Sequence, residues 1–198
     1  MTEATSTIEP RGAALLVMDY QNGIVNRLED EQSLLRHASE AIALARERGL
    51  RVGYVRVGFT DADYEAMPAT SSMAAAMAGV GREAMHADSP NTAVHDRVAP
   101  RDGEIVVRKT RVGAFSTTDL DKRLRAQDVT TLILAGIATS GVVLSTVRDA
   151  ADRDYRIIVL ADACADFDPD VHEVLTTRVF PRQAVVATVA DLEGMLGD

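Results

Sequence analysis

One cysteine, Cys164, among 198 residues excludes an internal disulfide and a cysteine-based zinc cluster. Long apolar runs are missing too: no stretch approaches the roughly 18 residues of a membrane span. The opening Met1-Thr2-Glu3-Ala4-Thr5 lacks the basic-then-apolar order of a signal segment. Positive charge is scarce. Lys and Arg number 21 against 30 Asp and Glu, a net charge of −9 that works against binding nucleic acid or an acidic membrane surface. These absences point to a cytoplasmic protein acting on small molecules.

The length and an apolar content of 46% suit one domain over residues 1–198, with 1–11 expected to be disordered. Six apolar runs read as strands: Ala13 to Met18, Arg51 to Val57, Ile105 to Lys109, Thr131 to Ala135, Arg156 to Leu160 and Ala184 to Ala187. Between them, Leu34, Ala38, Ala41, Ile42 and Ala45 recur at helical spacing up to a stop at Gly49. Further helices are predicted near Asp119 behind a Thr118 cap, through Val143, Val147 and Ala150, behind the Asp168-Pro169 cap, and from Asp191. Strands alternating with helices imply an α/β fold, a mostly parallel six-stranded sheet with helices on both faces. Residues 58–100 break the alternation and are rich in Ala, Met, Gly and Ser. An insertion this long reads as a lid, a binding loop or a dimer arm. Its Met67, Met73, Met77 and Met85 suit either core filling or an adaptable contact surface.

Lysine occurs twice, as Lys109 and Lys122, in a chain that otherwise uses arginine. Lys109 ends the third run, as Asp19 follows the first and Gly136 to Gly141 closes the fourth. In parallel sheets, ligands bind beyond the carboxyl ends of the strands, above all where strand order reverses. The three features therefore converge on one edge. Backbone N–H groups of the Gly136 to Gly141 turn are expected to face that edge, where they suit a carboxylate or a developing negative charge.

The segments Leu15-Leu16-Val17-Met18-Asp19-Tyr20-Gln21-Asn22, Lys109-Thr110-Arg111-Val112-Gly113-Ala114-Phe115 and Gly136-Ile137-Ala138-Thr139, in that order and spacing, resemble the isochorismatase-like hydrolase superfamily. Asp149-Ala150-Ala151-Asp152 and Ala161-Asp162-Ala163 continue the similarity over nearly the whole chain. The resemblance implies a Rossmann-like three-layer sandwich, a pocket over the strand ends and a homodimer or larger homo-oligomer. It also implies catalytic roles for Asp19 and Lys109. Gln21, Phe115, Ala138, Thr139, Gly141 and Val142 become the expected substrate contacts; Tyr20 and Arg111 are further candidates for lining the pocket.

Most members of that family are cysteine hydrolases acting on amides, and their nucleophile stands where this chain has Val142. Valine offers no nucleophilic atom, which closes the thiolate route. Cys164 follows a different strand and reads as a small buried filler. A second branch, the isochorismatases, also lacks the cysteine and hydrolyses a vinyl ether. That chemistry needs a proton donor, for which Asp19 is the candidate if burial raises its pKa, with Lys109 then expected to hold a substrate carboxylate. Isochorismatases tend to carry glycine at the place of Val142 and tyrosine at that of Ala138. Metal-dependent nicotinamidases place Asp and His after the second strand, where this chain has Val55-Arg56-Val57-Gly58-Phe59. No metal and no other cofactor is expected.

Ser140 and Ser145 lie in no Gly-x-Ser-x-Gly elbow, and no motif places His37, His86, His95 or His172 beside them. Asp162, Asp166, Asp168 and Asp170 read as capping residues, and His172 as an exposed helix position. Three functions remain open: acid/base catalysis by Asp19 with Lys109 on a small carboxylated substrate such as an isochorismate-like vinyl ether; a non-covalent amide or ester hydrolase; and a pseudoenzyme that retains the pocket.

Overall fold

A computed structural model describes residues 7–77 and 79–197; the side chains of Ala76 and Met77 lie outside that description. Its centre is a sheet of six strands, all parallel: β1 (Ala13–Met18), β2 (Arg51–Val57), β3 (Ile105–Lys109), β4 (Thr131–Ile137), β5 (Arg156–Ala165) and β6 (Val185–Ala187). The order β3-β2-β1-β4-β5-β6 means that the chain starts in the middle, builds outward to β3, then returns to the other side of β1. Strand order therefore reverses between β1 and β4, where a crevice opens at the carboxyl ends.

Side chains of a strand alternate between faces, and the core divides accordingly. Leu15, Val17, Tyr54, Ile133 and Ile158 pack against α2 (Glu31–Glu47) and α8 (Val189–Met195) on one face. Leu16, Met18, Val55, Leu132 and Leu134 pack against α5 (Leu120–Arg125) and α6 (Leu144–Asp152) on the other. Each fully buried Leu or Ile contributes about 1.5–3 kcal/mol of transfer free energy. Two buried faces explain why all six residues of β1 are apolar. Gly136 is required by close approach: a Cβ there would lie 2.9 Å from Val143 Cγ2 and 3.2 Å from Met18 Cβ. Gly49 ends α2 as expected, at a φ of 74° that favours glycine.

The structure corrects four boundaries. Disorder was expected over 1–11; residues 1–6 lie outside the description, but 7–11 belong to the fold. Ile8 is fully buried, donates its N–H to Met195 O at 2.8 Å and bridges to Leu196. The fourth strand extends two residues past Ala135. β5 continues past Leu160 to Ala165, and Asp162 within this extension caps the N-terminus of α8 by accepting from Val189 N–H at 2.9 Å. That helix starts at Val189 rather than Asp191, since Thr188 is its cap and Asp191 completes the capping box.

Residues 58–100 hold two short helices, α3 (Asp61–Glu65) and α4 (Ser72–Met77), folded over the carboxyl edge of β2 and β3. Two arginines tie them down. Arg56 donates to Ala87 O at 2.8 Å, and Arg108 to Gly58 O at 2.8 Å and Asp63 Oδ2 at 2.7 Å. Met67, Met73 and Met85 pack, partly buried, around Phe59 and Tyr64. No helix among the described residues is long and apolar enough to cross a membrane.

Candidate active site

Asp19 is the first residue past β1, and its φ of 59° lies in the left-handed region, a strain of about 1 kcal/mol or more for a residue with a Cβ. Two backbone bonds hold it there: its N–H donates to Val55 O at 2.8 Å, and Gln21 N–H donates to its carbonyl at 2.8 Å. Met18 stands opposite Val55, and Val57 opposite Lys109, so Asp19 and Lys109 reach nearly the same height on either side of β2. Their side chains close over that strand, Lys109 Nζ lying 2.8 Å from Asp19 Oδ2, with side-chain exposures of 3% and 7%. Lys109 also donates to Arg111 O at 3.2 Å.

The other carboxylate oxygen, Asp19 Oδ1, is buried and has no hydrogen-bond partner among the described residues. Burial pushes the Asp19 carboxyl above its ordinary value, and the Lys109 charge and hydrogen bond offset only part of that. The pair forms the floor of a cavity of about 690 Å³. Its walls are mainly apolar, including Val57, Met85, Val112, Ile137 and Val142. Residues of the 58–100 segment, Met73, Met85, Asn91 and Thr92 among them, supply one wall.

Of the expected substrate contacts, Gln21, Ala138, Gly141 and Val142 line this cavity. Gln21, however, spends its amide on structure: it donates to Val57 O and Thr92 O at 2.7 and 2.8 Å and accepts from Val57 N–H at 2.7 Å. Two expectations are corrected. Phe115 turns into the core beside α5 and α6, where its ring stacks on Tyr155 with centroids 6.1 Å apart. Thr139 is fully buried outside the cavity lining, its Oγ1 2.8 Å from His172 Nδ1. Tyr20 also points away, donating to Ala163 O at 2.5 Å, and Arg111 does not line the cavity.

In the turn after β4, two of the backbone donors are already engaged within the protein. Ser140 N–H is taken by Asp166 Oδ2 at 2.6 Å and Gly141 N–H by Ala138 O at 3.1 Å, so neither donor is free. His172 is not an exposed helix residue. It is partly buried on α7 (Pro169–Val174) against Thr139, and burial depresses its pKa against the opposing charge of Asp166. Asp168 caps α7 as expected.

No cysteine or serine lines the cavity among the described residues. Thr92 donates its hydroxyl to His86 O at 2.7 Å. Cys164 is buried, as expected of a filler, and burial pushes its thiol up to about 12. Among the described residues, no three His, Cys, Asp or Glu side chains are grouped to hold a metal ion. Arg27 and Phe167 complete the lining at the mouth and carry no motif in the sequence.

A parallel sheet wound in both directions from its centre, with a buried carboxylate–ammonium pair below an apolar cavity at the switch point, defines a Rossmann-like enzyme for small molecules. Residues 13–191 match the Isochorismatase domain model, and the chain belongs to the isochorismatase family of hydrolases. It is 32% identical over 178 residues to the uncharacterized isochorismatase family protein YwoC of Bacillus subtilis, covering 90% of each chain. It is 31% identical to the ureidoacrylate amidohydrolase RutB of Methylobacterium radiotolerans, covering 96% of this chain and 81% of that one. An isochorismatase family protein from Burkholderia thailandensis superposes with a TM-score of 0.83 at 30% identity, over 96% of this chain and 98% of that one.

Proposed function

We propose that this protein hydrolyses a small carboxylate-bearing substrate without a covalent enzyme intermediate, using Asp19 as the proton-transfer group and Lys109 as its charge partner. One observation carries the reading: Asp19 Oδ1 is buried and, among the described residues, without a hydrogen-bond partner at the floor of a cavity whose wall, at the family's nucleophile position, is the Val142 side chain. A buried carboxylate oxygen without a protein partner costs stability unless substrate or water completes it. Burial raises the Asp19 pKa, a shift in the direction that favours the protonated carboxyl a proton donor needs.

On a vinyl ether the steps balance as follows. Asp19 gives its proton to the terminal vinyl carbon, and the C=C electron pair forms the new C–H bond. The ether oxygen shares the resulting cation, and the Lys109 ammonium stabilises the carboxylate left on Asp19. Water adds to the cationic carbon and returns a proton to Asp19, and the hemiketal separates into a ketone and an alcohol. The apolar walls exclude other water from the cation.

A second reading is favoured by the relatives' names, which include ureidoacrylate amidohydrolase and, in Pseudomonas putida, maleamate amidohydrolase. In that case Asp19 takes a proton from the water that attacks an amide carbonyl. Pyruvate release from isochorismate and ammonia release from maleamate, each with parent and Asp19→Asn protein, separate the two. Either activity lost in the variant supports Asp19. Full activity in the variant, or an enzyme adduct found by intact-mass spectrometry during turnover, overturns the proposal.

A further inference from the structure

We infer that Arg27 and Phe167 form a recognition clamp at the cavity mouth for the carboxylate of a flat, conjugated substrate whose reacting end lies at Asp19. The inference rests on the cavity being the hydrolase site and adds the substrate class to that reading. Two cations line the cavity, Lys109 and Arg27. Lys109 is committed to Asp19 and to Arg111 O. It is therefore poorly placed for the role of holding a substrate carboxylate.

Arg27 is the opposite case. Its guanidinium carbon lies 4.7 Å from the centroid of the Phe167 ring, and the side chain has no ion pair and no hydrogen bond among the described residues. Stacking uses only the flat face of the guanidinium. The N–H donors lie in its plane, so they stay free for a carboxylate, which an arginine fork matches with two parallel bonds. Phe167 is 46% exposed, a large ring left in water at the rim of a cavity. A planar substrate laid along it would gain stacking area while its anionic end meets Arg27.

The two residues come from opposite sides of the switch point, Arg27 from the turn after α1 (Asn22–Val25) and Phe167 from the loop between β5 and α7. Between this mouth and the floor, Val57, Met85, Ile137 and Val142 offer no hydrogen bond, and the amide of Gln21 and hydroxyl of Thr92 are already engaged. Asn91 is the other polar side chain on the lining, so polar recognition away from the Asp19–Lys109 pair falls to Arg27 and Asn91, and the rest of the wall is apolar. A substrate with a flat apolar body fits, because polar groups in that body would be buried unpaired. Glu29, Asp30 and Asp166 line the adjoining groove that Arg27 shares. Their charges disfavour a second anionic group there and select a single carboxylate.

The probe is para-carbamoylbenzoate, compared with its neutral counterpart para-(hydroxymethyl)benzamide, in calorimetric titrations of the full chain. The expected result is that the parent binds the anion about tenfold or more tightly than the neutral compound, on the order of what one charge-assisted hydrogen bond supplies. Arg27→Gln then erases the preference, and Phe167→Leu weakens binding of both compounds. A parent without the preference, or a preference that survives Arg27→Gln, overturns the clamp. Turnover is read separately. An anion preference that depends on Arg27 supports the clamp even where neither probe is hydrolysed, whereas failure of the nucleophile-free mechanism shows in the Asp19→Asn assays and in the intact-mass search for an adduct.

Discussion

Strand β3 has an ion pair at each end, and the two are built for different purposes. At the amino end, Arg46 meets Glu104 through two bonds of 2.8 and 2.9 Å, Arg101 N–H adds a third at 2.7 Å, and Arg46 also donates to Ala99 O and Tyr54 Oη. Both carboxylate oxygens of Glu104 are occupied. At the carboxyl end, Lys109 satisfies one oxygen of Asp19, and the other has no partner among the described residues. The titration of the two acids follows. Burial pushes Glu104 upward, but the bonds from Arg46 and Arg101 outweigh it and hold the carboxyl below its ordinary value. For Asp19 burial prevails and the carboxyl is raised. A closed pair fixes the fold, whereas an open pair facing a cavity is available for chemistry.

The comparison would break first on turnover. Asp19→Asn should lower kcat/KM by about a thousandfold, within the usual range for loss of a general acid or base, while Glu104→Gln should leave it within about twofold. Comparable losses in both variants would erase the distinction. The next largest effect is on stability. Lys109→Met strips Asp19 of its counter-charge and should cost roughly 3 kcal/mol in urea unfolding at neutral pH. Adding Asp19→Asn should restore most of that; no recovery would mean that Lys109 acts through packing. Glu104→Gln should cost a smaller amount, about 1–2 kcal/mol, measured the same way.

The finest test is the sign of the pH dependence. Glu104, with its depressed pKa, contributes stability that is present above its unfolded value near 4.5 and is lost as pH falls through the lower folded value. Asp19, with its raised pKa, favours the native state fully below 3.8 and loses that contribution as pH rises through its higher folded value. Thermal unfolding between about pH 3 and 6 should therefore show opposite changes. Glu104→Gln should flatten the parent's acid-side loss, and Asp19→Asn should steepen it. Slopes that change in the same direction would refute the assignment of one of the two shifts.

Much of the fold could be read along the chain because burial on both faces of a parallel sheet writes itself as short apolar runs. Ala13 to Met18 and Arg51 to Val57 were expected with the bounds they have. Strand β5 runs on to Ala165, beyond the apolar run that ends at Leu160, and Asp162 in that extension spends its carboxylate on capping α8. Asp19 and Lys109 were legible for a topological reason: parallel strands bring their carboxyl ends to one edge whatever lies between them in sequence. Phe115 was misplaced because its motif fixes its position along the chain and not the face toward which its side chain turns. His172 likewise carried no local sign of Thr139.

The sequence by itself determined the α/β class, the edge where the strand ends gather and the placing of Asp19 and Lys109 at that edge. These are set by residue identity, local periodicity and strand direction. Only the tertiary structure decided that Asp19 has one buried oxygen without a partner among the described residues, that Gln21 is spent on holding the cavity wall, and that Arg27 stacks on Phe167 at the mouth. Each of these depends on which side chains meet across the fold. That choice is made by packing between segments distant in sequence, where no local pattern records it.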